Sequence, residues 1–139
     1  MILKVKRFNP NIPLPVKAYP TDSGFDVHTE KEVYLQPFCP RFIPLQIGVE
    51  LESGFELQIR PRSSLSKAGI LCHFGTVDED YRGELAVILH NLTHEGATIK
   101  AGQRIAQLVI AARASVEMIE VETLEDSPRG ARGFGSTGQ

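Results

Sequence analysis

Residues 75–83, GTVDEDYRG, set three carboxylates, a tyrosine and an arginine between two glycines, and after Glu84 the chain runs directly into the apolar stretch LAVIL. A carboxylate such as Asp78, rooted at the mouth of a buried strand, can orient and deprotonate a water molecule, although an acidic turn by itself is commonplace. A second chemical cluster is Arg62, Ser63 and Ser64, where a guanidinium, two hydroxyls and the free N–H groups of a short helix start would meet an anion. Asp26 follows the turn residues Asp22, Ser23 and Gly24 and opens a short strand, with Phe25 and Val27 expected on its other face. In GQRIAQLVI at 102–110, Arg104 and Gln107 are polar intrusions into a buried strand. The end of the chain, SPRGARGFGSTGQ at 127–139, combines four glycines and two arginines with Phe134, Ser136 and Thr137. It cannot build a core, but its backbone N–H groups, hydroxyls and guanidinium groups suit a phosphate. It is not a Walker motif, because it has neither the lysine nor a following helix.

The elements that must hold these groups read as strands. The 139 residues suffice for one domain with a substantial core. The basic and apolar alternation at the N-terminus indicates an edge strand, and residues 9–20, with four prolines, form an extended arm. Strands are expected at residues 33–35, 41–51 and 55–60, divided by Pro37, Pro40 and the Ser53-Gly54 turn. In the last of them Phe55, Leu57 and Ile59 alternate with polar residues, which buries one face. Residues 61–69 hold the one short helix, with a serine available as N-cap and Gly69 as the stop. Further strands are expected at 70–74, 83–91, 97–100, 102–110 and 115–121. The whole is an all-β, single-domain fold of the barrel or jelly-roll kind over residues 1–126, followed by a flexible phosphate-binding tail at 127–139.

Composition excludes several functions. With 15 basic against 17 acidic residues and no basic run, the chain does not read as a nucleic-acid binder. Cys39, Cys72 and four scattered histidines lack metal-ligand spacing. No stretch reads as a signal peptide or a membrane span, so a soluble cytoplasmic protein is expected.

Five stretches in this order closely resemble the motifs of the trimeric all-β dUTPases, the deoxyuridine triphosphate nucleotidohydrolases: SGFD at 23–26, PRSSL at 61–65, GTVDEDYRG at 75–83, GQRIAQL at 102–108 and RGARGFGSTG at 129–138. The resemblance implies a distorted jelly-roll barrel of the β-clip type and Mg²⁺-dependent hydrolysis of dUTP to dUMP and pyrophosphate. That reaction limits uracil in DNA and supplies dUMP for dTMP synthesis. By the resemblance, Asp78 activates the water that attacks the α-phosphorus, and Tyr81 packs under the deoxyribose and excludes a 2′-hydroxyl. Arg62, Ser63, Ser64 and Gln107 contact phosphates, and Asp26 holds Mg²⁺ through water. Arg129, Gly135, Ser136 and Thr137 belong to a tail that closes over the phosphates, with Phe134 over the base. Main-chain groups of a hairpin before Asp78 read the base, which nominates residues 71–75 by position and makes Gly75, Thr76 and Val77 substrate-binding.

The resemblance further implies a homotrimer whose sites draw motifs from all three chains. The apolar run at 85–89, which looks buried on both faces, gives that trimer a contact. Residues 65–78 are shorter than is usual in the family, Arg132 stands where the tail usually has a small residue, and Thr76 replaces an apolar one. A dCTP deaminase, or a bifunctional deaminase and diphosphatase of the same fold, needs a glutamate where this chain has Ile88, and an isoleucine cannot shuttle protons. A non-catalytic nucleotide-binding trimer would have no use for Asp78 or for an intact tail.

Overall fold

In the computed structural model, which describes residues 2–133, eleven strands and one short helix follow one another along the chain. They are β1 (Lys4–Arg7), β2 (Gly24–His28), β3 (Val33–Leu35), β4 (Pro40–Pro44), β5 (Ile47–Glu50), β6 (Phe55–Arg60), α1 (Ser63–Lys67), β7 (Ile70–Cys72), β8 (Gly75–Val77), β9 (Ala86–Asn91), β10 (Ala97–Ile99) and β11 (Arg104–Ala112). All pair antiparallel, in a four-stranded sheet ordered β2-β11-β6-β8, a three-stranded sheet β4-β9-β7, and the ribbons β1-β5 and β10-β3. The result is a jelly-roll-like all-β fold whose sheets do not close into one continuous barrel among the described residues. Leu35, Leu45, Ile47, Leu57, Leu85, Leu89, Ile99, Ile105 and Leu108 are fully buried and unite the sheets in one core. None of the described helices is long and apolar enough to cross a membrane.

Several expected elements differ from the structure. The strand expected at 41–51 is two strands, β4 and β5, because Gln46 turns the chain at φ 57°. Glu84 stabilises that kink by accepting hydrogen bonds from both Gln46 N and Nε2 at 2.9 Å. Pro40 does not interrupt a strand but begins β4, a tolerated place for a residue without an N–H. The helix takes Arg62, not a serine, as N-cap, with no side-chain capping bond, while Gly69 ends it at φ 78° as expected. β7 and β9 are shorter than their expected spans. Residues 85–89 alternate: Leu85, Val87 and Leu89 are buried, while Ile88 is 40% exposed beside Phe42. Residues 115–121 form no strand, and no strand among the described residues pairs with them. Val116, Met118 and Ile119 stand in solvent.

Candidate active site

The four-stranded sheet carries one cleft at each of its outer edges. At the β2 edge, residues of β2, β11 and the α1 entrance line a polar cleft of about 280 Å³ that includes Asp26, Arg62, Ser63, Arg104 and Gln107. Register explains the meeting: Gln107 lies opposite Asp26, and an irregularity between Arg104 and Ala106 places Arg104 opposite His28. Asp26 is mostly buried, its side chain 14% exposed, and each of its oxygens pairs with a guanidinium, Oδ1 with Arg62 Nε at 2.8 Å and Oδ2 with Arg104 Nη1 at 3.0 Å. Gln107 donates through Nε2 to Pro61 O at 2.9 Å, tying the strand to the helix entrance. Its Oε1 stands where a Cβ on Gly24 would be, so a larger residue there would push the Gln107 side chain aside. Burial lowers the pKa of His28 below its ordinary 6.5, with Asp26 opposing and Arg104 and Arg62 assisting. The imidazole therefore adds no third positive charge near neutral pH.

At the β8 edge a more apolar cleft of about 340 Å³ is lined by Gly75, Thr76, Val77, Asp78 and Tyr81 together with Phe42, Ile59 and Leu85. β8 pairs with β6, Gly75 opposite Ile59 and Val77 opposite Leu57, and the chain turns immediately after it. Tyr81 N donates to Asp78 O at 3.2 Å, which closes a turn that projects Asp78 into solvent. The Tyr81 hydroxyl donates to Glu84 O at 2.9 Å. Its ring also covers Gly83, whose Cβ would lie 2.3 Å from that oxygen, so the second glycine of the motif makes room for the tyrosine. The segment before Asp78 is not a hairpin of paired strands. β7 joins β9 in one sheet and β8 joins β6 in another, so residues 73–74 cross between sheets.

Of the residues nominated from the sequence, Asp26, Arg62, Ser63 and Gln107 gather at one edge, and Gly75, Thr76, Val77, Asp78 and Tyr81 at the other. Ser64 lies one residue further along α1 and lines neither cleft, and neither does Arg129, an exposed residue whose Nε donates to Arg132 O at 2.8 Å. Phe134, Gly135, Ser136 and Thr137 lie outside the described residues. Arg104 reads locally only as a polar residue in a buried strand, and the two-stranded register that brings it to Asp26 is a long-range fact. Phe42, on β4, had no local signal at all.

Among the described residues no three His, Cys, Asp or Glu side chains gather as a metal cage. Asp26, with each oxygen paired to a guanidinium, suits only a cation that it would hold through water and that takes its other oxygens from a ligand, which is the habit of Mg²⁺.

The two clefts have no lining residue in common. Three strand spacings separate β2 from β8, about 14 Å at ~4.8 Å each. The sequence model described as dUTPase matches residues 10–138. The chain belongs to the dUTPase family. A deoxyuridine 5'-triphosphate nucleotidohydrolase of Nautilia profundicola is 46% identical with all of each chain covered, and that of Helicobacter pylori strain 26695 is 43% identical over 99% of this chain and 97% of that one. Among solved structures, the Staphylococcus bacteriophage 80alpha dUTPase with dUpNHpp superposes with a TM-score of 0.92 at 28% identity, covering 99% of both chains.

Proposed function

We propose that this dUTPase-family chain hydrolyses dUTP to dUMP and pyrophosphate as a homotrimer. In each site the phosphates would lie in the Asp26 cleft of one subunit, and the base and sugar in the Asp78 cleft of another. The observation that carries this reading is the division of the chemistry between two edges of one sheet. Anion-binding groups stand at one edge, a solvent-facing carboxylate with an aromatic ring stands at the other, and no residue is shared. A second copy brings the halves together, and the open face of β4 and β9, where Phe42 and Ile88 are exposed, offers apolar area for the contact.

In this reading Arg62, Arg104, Ser63 and Gln107 hold the phosphate chain, with Ser64 at the helix start beside them. Asp26 would hold Mg²⁺ through water, and the ion would supply further neutralisation of the phosphate charge. Asp78 takes a proton from a water molecule as its oxygen bonds to the α-phosphorus, and the bond from that phosphorus to the bridging oxygen breaks to release pyrophosphate. Tyr81 packs against the deoxyribose, where a 2′-hydroxyl would have no room. Backbone groups of Gly75, Thr76 and Val77 read the uracil edge. The tail, through Arg129, Phe134, Gly135, Ser136 and Thr137, closes over the bound nucleotide and keeps bulk water out.

The test is incubation with each deoxynucleoside triphosphate and Mg²⁺ in ¹⁸O-labelled water. The expected result is pyrophosphate from dUTP alone, with the label in dUMP. Label in pyrophosphate, or equal release from dTTP and dCTP, would refute the assignment of attack or of base.

A further inference from the structure

Glu79 stands between the two aspartates of the Asp78 turn, yet its side chain leaves the cleft and ties that turn to two distant parts of the chain. Its Oε2 accepts a hydrogen bond from Gly54 N at 2.7 Å, in the turn between β5 and β6, and pairs with Arg113 Nη2 at 3.2 Å, just past the end of β11. Ser53 Oγ adds a longer contact at 3.4 Å. Gly54 completes the triangle, because its carbonyl accepts from Arg113 N at 2.8 Å. The positive φ of Gly54, 86°, lets one residue bond to both partners. Within the same turn, the exposed Arg82 donates through Nη1 to Glu79 O at 2.6 Å and to Tyr81 O at 3.1 Å.

We propose that Glu79 is a positioning residue for Asp78, fixing the turn that aims this carboxylate by anchoring it to Gly54 and Arg113. The inference rests on the reading of Asp78 as the base. Asp78 projects into solvent, so its direction depends on the backbone of its turn. Both partners of the ion pair are partly exposed, 44% for the Arg113 side chain and 30% for Glu79, and such a pair adds little to global stability. Its effect should therefore show in the rate of the chemical step more than in folding, since a small misplacement of a catalytic group is costly.

The experiment compares Glu79→Ala, Glu79→Gln, Arg113→Ala and Asp78→Asn in the full chain, measuring kcat, KM and the thermal midpoint for each. Glu79→Ala should lower kcat about 10- to 100-fold with KM within about 3-fold and a midpoint close to the parent. Glu79→Gln, which keeps an acceptor for Gly54 N–H, should recover most of that rate. Arg113→Ala should show a smaller fall of the same kind, and it carries the test if Glu79→Ala does not fold. An unchanged kcat in Glu79→Ala, or losses in kcat and midpoint that Glu79→Gln does not rescue, would overturn the proposal while Asp78→Asn remains inactive. An active Asp78→Asn would instead overturn the reading of Asp78 itself.

Discussion

The two clefts sit on one sheet but are built by opposite means. At the Asp26 edge the side chains do the work: a mostly buried carboxylate held by two guanidinium groups, on a strand whose glycine leaves space for Gln107. At the Asp78 edge the backbone does it, through a turn closed by Tyr81 N, a ring laid on Gly83 and an apolar floor of Ile59 and Leu85. The first is organised to exchange charges with a ligand, the second to hold a flat group and point one carboxylate. Changes at the two edges should therefore separate binding from turnover.

The largest effect should come from Asp78→Asn, with kcat down about 10²- to 10⁴-fold and the affinity for dUpNHpp nearly unchanged. Titration calorimetry beside a turnover assay reads both, and loss of binding at normal turnover would erase the distinction between the clefts. Deleting residues 129–139 should lower turnover about 10²-fold while the circular dichroism spectrum and sedimentation stay those of the parent, because a segment so rich in glycine and polar residues cannot build a core. At the other edge, Arg104→Gln should weaken dUpNHpp binding about 10-fold and leave deoxyuridine binding alone, since only a phosphate chain engages that charge. Gly24→Ala should give a several-fold loss of the same kind, as the new methyl displaces the Gln107 side chain.

The smallest effect concerns pH. The Gly54 N–H, with help from Arg113, holds the Glu79 pKa below its ordinary 4.5. A lowered carboxylate pKa means that the unfolded chain binds the proton more readily, so this contribution to stability is present above pH 4.5 and is lost as pH falls through the lower folded value. Glu79→Gln should flatten the acid side of the stability curve slightly, as denaturant titrations across that range would register.

Much of this was readable from local pattern. The turn at 75–83 and its chemistry, the alternation in β6 and the all-β class follow from residue types and periods that act over a few positions. What was not readable depends on partners far along the chain. Gln46 breaks a strand because Glu84 holds its backbone, and residues 115–121 have a strand-like sequence without a ladder among the described residues. Arg62 caps α1 in place of a serine while its side chain reaches back to Asp26. Residues 71–77 look like one hairpin locally, but their ends belong to different sheets. Arg104 looked like an anomaly in a buried strand until the register set it against β2.

The Asp26 ion pairs also govern how the cleft meets a polyanion at a distance. With Asp26 and Asp22 facing the two guanidinium groups, and His28 neutral, the charged groups of the unliganded cleft nearly cancel. Beyond a Debye length of about 8 Å in physiological salt, so small a charge attracts an incoming triphosphate only weakly. Encounter should then be nearly indifferent to ionic strength. Salt should act instead on the lifetime of the complex, after the arginines have exchanged their carboxylate for phosphate oxygens.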